Sequence, residues 1–172
     1  MEKNNIKLPE TSREELEAAK KAGSGSLCGL VMQKALESVG DNLNAESMTK
    51  LNSSQITVIA YNVLRRELLE GGFVQLIHNG YGPFIFENPF AKAMRLWGLK
   101  SLCNTLYDAR RLYEKTANDI ERDCSDEEFM ALYEQYEKFD EYDDDFVERE
   151  AEYTAEVEKY IENNLEDFFT VR

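Results

Sequence analysis

The sequence has little of what catalytic and metal sites usually require. Histidine occurs once, at His78, and the three cysteines, Cys28, Cys103 and Cys124, are too dispersed for zinc-ligand spacing. Their odd number also argues against a disulfide framework, so we expect reduced thiols in a cytoplasmic protein. No phosphate-binding loop or nucleophile elbow is present. The sequence therefore predicts no catalytic residue, no metal and no cofactor.

Proline and long apolar runs are also scarce. Proline occurs only at Pro9, Pro83 and Pro89, and no stretch approaches a membrane-spanning length. Few prolines, with many Glu, Leu, Ala and Lys residues, favour helices joined by short turns over strands. The net charge of −14 argues against direct binding to nucleic acid, which requires clustered Lys and Arg. We therefore expect a soluble all-α protein that binds neither membranes nor nucleic acid.

The helical pattern predicts one domain of about seven helices, packed as an irregular bundle of helical hairpins. Residues 1–26 contain a short polar helix and end in Gly-Ser-Gly-Ser, so they are predicted to be a flexible arm or a loosely docked extension. An ordinary frayed terminus is the alternative. Residues 27–172 form the predicted helical domain. Within it, Gly80–Glu87 is predicted to be a folded loop, because Gly80, Gly82 and Pro83 interrupt the helical pattern.

The negative charge is concentrated in the last third of the chain. Met1–Leu106 carries 11 acidic and 12 basic residues, whereas Tyr107–Arg172 carries 23 acidic and 8 basic residues. Ser125 and Glu128 predict a capping box for one helix in this region, and a further helix is predicted to begin near Asp143. Such a region is either a well-solvated outer face or a surface that attracts a basic partner.

A helical wheel separates apolar from acidic residues in the last helix. The predicted buried face comprises Phe146, Tyr153, Val157, Tyr160 and Ile161. The predicted outward face comprises Asp144, Asp145, Glu148, Glu152, Glu156, Glu158 and Glu162. Glu150 is the exception, because it lies on the buried side and needs a basic residue or a helix N-terminus as its partner.

The density of these acids is similar to that of phosphates in DNA. Nine acids lie between Asp143 and Asn163, which is roughly one per 3.5 Å of helix. Duplex DNA displays about one phosphate per 3.4 Å of each strand. A basic DNA-binding protein could therefore bind such a surface in place of its duplex. The alternative is that the acids only keep the protein soluble.

A polar residue interrupts the apolar stripe of the helix that begins at Ser53 or Ser54. Glu67 continues the face formed by Ile56, Ile59, Ala60 and Val63, so its carboxylate needs hydrogen-bond donors if it is buried. We expect Glu67 to cap or brace a neighbouring loop. A catalytic role for Glu67, with Gln75, His78 and Asn79, is the alternative and would require a pocket around them.

The stretch from Glu67 to Asn79 resembles the E-x-x-N-G-G-F-x-Q-x-x-x-N signature of a bacterial family of small acidic DNA-mimic proteins. Gly71, Gly72, Phe73, Gln75 and Asn79 match, and Glu70 stands where the family usually has Asn. The similarity extends over about residues 51–169. It implies an all-helical fold and an activity that blocks a transcriptional regulator by occupying its DNA-binding surface. The motif itself is interpreted as structural, with glycines allowing a tight turn whose backbone groups are satisfied by Glu67, Gln75 and Asn79.

These observations lead to a hypothesis of a non-enzymatic DNA mimic that binds a basic regulator or nucleoid-type protein. The first group of candidate partner-binding residues is Asp143, Asp144, Asp145, Glu148, Glu152, Glu156 and Glu162. A second row comprises Asp126, Glu127, Glu134 and Glu141. An alternative is an interaction or immunity-type scaffold that binds through an apolar surface. That surface would include Tyr81, Phe84, Phe86 or Trp97.

Overall fold

The structure, a computed structural model, describes residues 6–172. These residues form ten α-helices, and their only β-structure is one pair of two-residue strands, which confirms the all-α prediction. The helices are α1 (Arg13–Lys21), α2 (Ser26–Ser38), α3 (Ala45–Met48), α4 (Ser53–Glu70), α5 (Gly72–His78), α6 (Gly82–Phe86), α7 (Phe90–Leu96), α8 (Lys100–Ile120), α9 (Asp126–Gln135) and α10 (Asp140–Asn163). Short 3-10 helices span Glu137–Phe139 and Leu165–Asp167.

Local sequence signals predicted several helix boundaries correctly. The Ser125 side chain accepts a hydrogen bond from the Glu128 N–H at 3.2 Å, and Glu128 Oε2 accepts one from the Ser125 N–H at 3.0 Å. This reciprocal pair is the predicted capping box of α9. In α8, the buried residues Leu102, Leu106 and Tyr113 recur at helical spacing.

The prediction of a loop at Gly80–Glu87 is wrong, because Gly82–Phe86 forms α6. Pro83 lies in the first turn of this helix, where its missing N–H removes no helical hydrogen bond. The helix predicted to begin near Asp143 begins instead at Asp140. Glu141, which was assigned to the second row of candidate acids, therefore lies in the first turn of α10.

The chain divides into two compact units, and the boundary falls within α4 and α10. The first unit runs up to Asn62 and includes Thr154–Arg172. The second unit is Val63–Tyr153. Most of the candidate partner-binding acids belong to the second unit.

The first unit includes the N-terminal segment as an integral part. Strand β1 (Glu10–Thr11) pairs in parallel with β2 (Thr170–Val171), and α1 packs against α2. Thr11 and Leu16 are buried. Residues 10–21 therefore contact other segments of the first unit, and an extension that ends at residue 26 stays a prediction. Residues 1–5 of the predicted extension lie outside the described part of the chain.

An aromatic cluster lies at the centre of the second unit. The ring centroids of Phe73 and Phe86 are 5.9 Å apart, and those of Phe73 and Phe139 are 6.1 Å apart. Phe86 also stacks on Tyr113 of α8, with centroids 4.7 Å apart. Offset aromatic contacts of this kind stabilise a core beyond the effect of buried area alone. They connect α5, α6 and α8 to the segment that leads into α10.

Candidate partner-binding surface

A row of exposed acids lies along the part of α10 that belongs to the second unit. Glu141, Asp144, Glu148 and Glu152 follow one another at intervals of three or four residues, and all four are exposed. Such neighbours on one helix face have Cβ atoms about 5–6 Å apart. None of the four makes a hydrogen bond or ion pair with another residue of the described chain. We call these residues the α10 acidic row.

Three members of the α10 acidic row also line a groove between α8 and α10. The groove has a volume of about 740 Å³. Its charged lining residues are Asp108, Glu141, Asp144, Asp145, Glu148 and Arg149. Five carboxylates thus face one guanidinium, so the groove carries a net negative charge. The sequence analysis identified four of the five acids and missed Asp108, because only the packing of α8 beside α10 brings it to them.

Two of the groove acids are engaged within the protein. Asp145 Oδ2 accepts a hydrogen bond from the Thr105 hydroxyl at 2.9 Å, and its Oδ1 lies 3.5 Å from Arg149 Nε. Asp108 Oδ1 lies 3.2 Å from Arg111 Nη1. The carboxylates of Glu141, Asp144 and Glu148 therefore carry most of the charge that a partner would meet.

Asp143 does not lie on an exposed face, although it was included among the partner-binding candidates. Its side chain is half-buried, and its Oδ1 accepts a hydrogen bond from the Phe73 N–H at 2.8 Å. The pKa of Asp143 is raised to about 7, mainly by burial and also by the Asp140 and Asp144 carboxylates, while the Phe73 hydrogen bond acts in the opposite direction. Asp143 thus carries only part of a negative charge near neutral pH.

Two further acids of α10 also have internal partners. Glu150 Oε1 lies 2.5 Å from Arg65 Nε in the second unit, which confirms that Glu150 requires a basic partner. In the first unit, Glu158 Oε1 accepts hydrogen bonds from the N–H groups of Leu27 and Cys28, at 3.0 and 3.4 Å. The prediction that Glu158 points outward is therefore wrong.

These internal partners lower the charge density that α10 presents. The sequence estimate of one acid per 3.5 Å counted Asp143, Asp145, Glu150 and Glu158, which are all engaged internally. The α10 acidic row has three intervals over eleven residues, or roughly one carboxylate per 5.5 Å. This spacing is wider than that of phosphates along one DNA strand, about 3.4 Å. A single helix of this protein therefore does not reproduce the charge density of a DNA strand.

The other candidate acids occupy separate places. Asp126 and Glu127 are exposed in the first turn of α9, where negative charge favours the helix, and Glu134 is exposed on the same helix. In the first unit, Glu156 is half-buried and Glu162 is exposed.

The Glu67 motif forms a compact hydrogen-bond network. Glu67 is 3% exposed, and its Oε2 accepts hydrogen bonds from Gln75 Nε2 at 3.0 Å and Asn79 Nδ2 at 2.9 Å. Its Oε1 lies 3.2 Å from Arg66 Nη2. Glu67 therefore braces the turn between α4 and α5, as expected. The amides of Gln75 and Asn79 satisfy the carboxylate of Glu67, and not the backbone of the turn as the sequence suggested.

The two glycines of the motif are required for different reasons. A Cβ atom on Gly71 would lie 2.2 Å from Gln75 Oε1. A Cβ on Gly72 would lie 2.3 Å from Asp143 Oδ2, and Gly72 also has φ of +76°. This φ is rare for any residue with a side chain. The motif thus encodes close packing at the start of α5.

The arrangement around His78 favours a structural role for the only histidine. Its Nδ1 donates a hydrogen bond to the Ile120 carbonyl at 2.8 Å, and its ring lies 4.6 Å from that of Phe129. Glu67 is engaged by Gln75 and Asn79 and is almost fully buried. The side chains of Gln75 and Asn79 therefore hydrogen-bond to Glu67, and that of His78 hydrogen-bonds to the backbone, which is what structural residues do. Among residues 6–172, no cluster of three or more His, Cys, Asp or Glu residues could hold a metal ion.

Of the four residues named for the alternative apolar interaction surface, one is buried. Phe86 is buried in the aromatic cluster, while Tyr81, Phe84 and Trp97 are partly exposed. The Tyr81 hydroxyl accepts a hydrogen bond from Arg66 Nη2 at 3.1 Å, and the Arg66 guanidinium lies over its ring. Within the described residues, no helix is long and apolar enough to span a membrane.

The described chain is thus a small acidic all-helical protein with an acidic groove and a structural motif between Glu67 and Asn79. The sequence matches the family described as DMP19-like protein over residues 49–164. The chain therefore belongs to this family. It is 35% identical over 124 residues to the "DNA mimic protein DMP19" of Neisseria meningitidis serogroup B, an alignment that covers 72% of this chain and 75% of that protein. The motif and the α10 acidic row both lie within the matched residues.

Proposed function

We propose that this protein is a DNA mimic that binds the basic surface of a DNA-binding protein and blocks its access to DNA. Membership of the DMP19-like family, together with a relative that is named as a DNA mimic, is the observation that carries this proposal. The groove between α8 and α10 provides the acidic surface that such an activity requires. The partner would be a transcriptional regulator or a nucleoid-type protein in the cytoplasm, and no reaction would be catalysed.

The mechanism is electrostatic. DNA-binding proteins place Lys and Arg side chains where phosphates lie, and these side chains are attracted to any fixed array of anions. Steering by such an array raises the association rate, and the effect falls steeply as ionic strength rises. At 0.15 M salt the Debye length is about 8 Å, so carboxylates 5–6 Å apart act on a docked partner together.

Glu141, Asp144 and Glu148 are the residues that we propose as the centre of the interface. They are exposed, lie in one row and line the groove with Asp108 and Asp145. Because one row is sparser than a DNA strand, Asp108, the one groove acid from α8, would supply part of the missing charge. In the second unit, the exposed acids outside the groove would form the periphery of the interface: Glu152 on α10, and Asp126, Glu127 and Glu134 on α9. In the first unit, the exposed Glu162 and the half-buried Glu156 stay candidate contacts for a partner.

A charge-reversal experiment with a matched control tests this assignment. The test variant carries Glu141→Lys, Asp144→Lys and Glu148→Lys. The control carries Glu17→Lys, Asp123→Lys and Glu166→Lys, which are exposed acids outside the groove. Both triple variants change the net charge by the same amount, so any difference between them reports position and not total charge.

The measurement is capture of DNA-binding proteins from the native cytoplasm at low and high salt. We expect the control to capture a basic protein as the wild type does and to release it in high salt, while the groove variant fails to capture it. Circular dichroism would verify that both variants remain helical. Equal capture by the groove variant and the control would refute the interface. Capture of a partner that does not bind DNA would refute the mimic function itself.

A further inference from the structure

A small apolar pocket lies in the second unit, away from the α8–α10 groove. Its volume is about 200 Å³, and its walls come from α6, α7, α8 and the turn between α6 and α7. The apolar lining residues are Ile85, Phe86, Pro89, Ala91, Leu106 and Tyr107. The charged lining residues of the pocket are Lys92 and Arg110.

The size of the pocket limits what it can hold. An apolar cavity of about 150 Å³ can bind benzene, whereas drug-sized ligands occupy roughly 300–1,000 Å³. A pocket of about 200 Å³ therefore has room for one ring or a short branched chain, with a small polar group at its mouth. Because six of its nine lining residues are apolar or aromatic, an apolar group gains from leaving water there.

The charge around the pocket is opposite to that of the rest of the protein. Asn88–Tyr107 contains three basic residues and no acidic residue, in a chain with 34 acids. Lys92 is exposed and makes no ion pair with any other described residue. Arg110 uses Nε to donate to Glu114 Oε1 at 2.9 Å, and a guanidinium has four further N–H donors on its Nη atoms. Both cations can therefore reach an anionic group at the pocket.

We infer that this pocket binds a small carboxylic acid with an apolar body, such as an arylalkanoic acid. The apolar body would lie in the pocket against Pro89 and Tyr107, above the buried Ile85 and Leu106, and the carboxylate would lie at the mouth, between Lys92 and Arg110. An ammonium or a neutral polar group at the same place would lack this ionic contact. The inference does not depend on the proposed partner surface, because the two sites share no lining residue.

The net negative charge of the protein repels an anion, but each exposed charge acts only over a short distance. Exposed charges separated by more than about 8 Å are largely screened at physiological ionic strength. A carboxylate bound in the pocket would lie beside the lining cations. The acids nearest in sequence, Glu87 and Asp108, and Glu114, the ion-pair partner of Arg110, are not lining residues. The pocket can therefore select an anion in an acidic protein.

Titration of the full chain with 3-phenylpropionate, monitored by NMR of labelled methyl groups, tests the inference. The matched probes are 3-phenylpropanamide and 3-phenylpropylamine, which have the same ring and chain but a neutral or a positive head group. We expect the acid to shift the methyl signals of Ile85 and Leu106, and to bind more tightly than the amide and the amine. Lys92→Ala should weaken binding of the acid by about threefold, as for an exposed ion pair.

Lys115→Ala is the matched control, because Lys115 is exposed on α8 and does not line the pocket. It should leave binding of the acid unchanged. Three results would overturn the inference: no shift of the Ile85 and Leu106 signals, equal binding of acid, amide and amine, or equal effects of Lys92→Ala and Lys115→Ala. The probe series on the wild-type protein decides the question even if a variant folds poorly.

Discussion

The Asp143 carboxylate lies against the start of α5, where its Oδ1 accepts a hydrogen bond from the Phe73 N–H at 2.8 Å. The two residues are 70 positions apart in the sequence. The contact joins α10 to the Gly-Gly-Phe motif within the second unit. It also places a carboxylate in an environment that penalises its charge, since burial is the largest influence on its pKa.

The raised pKa of Asp143 predicts a specific dependence of stability on pH. Its pKa is about 7 in the folded protein, against an ordinary value of 3.8. Between about pH 4 and 7, the Asp143 carboxyl is therefore ionised in the unfolded chain but still protonated in the folded protein. The contribution of Asp143 to the free energy of unfolding falls as pH rises through this range. The loss is complete above pH 7 and amounts to about 4 kcal/mol at most.

Asp143→Asn should remove this loss, because the amide is neutral and its oxygen can still accept from the Phe73 N–H. The variant should gain stability relative to the wild type between pH 4.5 and 8, as measured by urea unfolding. Asp144→Asn, at the exposed neighbouring position, is the control and should show no such gain. If the difference between Asp143→Asn and the wild type were the same at every pH, the assigned pKa would be wrong.

Gly72 and Gly80 offer a second matched comparison. Both have positive φ, at +76° and +86°, but a Cβ on Gly80 would meet nothing within 4 Å. Gly80→Ala should therefore cost only the conformational penalty, about 1–2 kcal/mol. Gly72→Ala should cost at least about 1 kcal/mol more, because the methyl group displaces the Asp143 carboxylate.

Chemical denaturation of both glycine variants measures this difference. The double variant Gly72→Ala/Asp143→Ala identifies its cause, since the additional cost of Gly72→Ala should largely disappear when the carboxylate is absent. Additive effects of the two substitutions would mean that Asp143 is not what excludes a side chain at position 72.

The sequence predicted those features whose signals are local. The Ser125 capping box depends on residues three positions apart, and the burial of Phe146, Val157 and Ile161 follows from helical spacing. The need of Glu150 for a cation followed from its place on the buried face. In each case one helix contains the whole pattern.

Features that depend on contacts between distant segments could not be predicted in this way. Asp143 and Glu158 both accept hydrogen bonds from backbone N–H groups, which carry no side-chain signature in the sequence. Asp108 joins the groove only because α8 packs beside α10. The sequence therefore named four of the five acids that line the groove but overestimated the charge density of α10, since it could not distinguish engaged acids from exposed ones.

The Glu67 network predicts a clear loss of stability on truncation. Glu67→Ala removes the acceptor that Gln75 and Asn79 share, so it should lower the free energy of unfolding by about 2 kcal/mol. Glu70→Ala is the control, because Glu70 is exposed and the hydrogen bond that it accepts from Gln75 Nε2 is long, at 3.4 Å. It should change stability by less than about 0.5 kcal/mol. Urea unfolding of the two variants checks this, and similar losses would contradict a special role for Glu67.

Glu158 and Glu162 provide a test of the distinction between engaged and exposed acids on one helix. Helix α2 begins after Gly25, which supplies no side-chain cap, and Glu158 Oε1 instead accepts from the first N–H groups of this helix. Glu158→Ala should therefore lower the free energy of unfolding by about 1 kcal/mol, the usual cost of losing a helix cap. Glu162→Ala removes the same charge from an exposed position and should change it by less than about 0.5 kcal/mol. Glu158→Gln should recover part of the loss, because the amide oxygen still accepts a hydrogen bond. Equal stabilities of the two alanine variants in thermal or urea unfolding would show that net charge, and not capping, is what matters at Glu158.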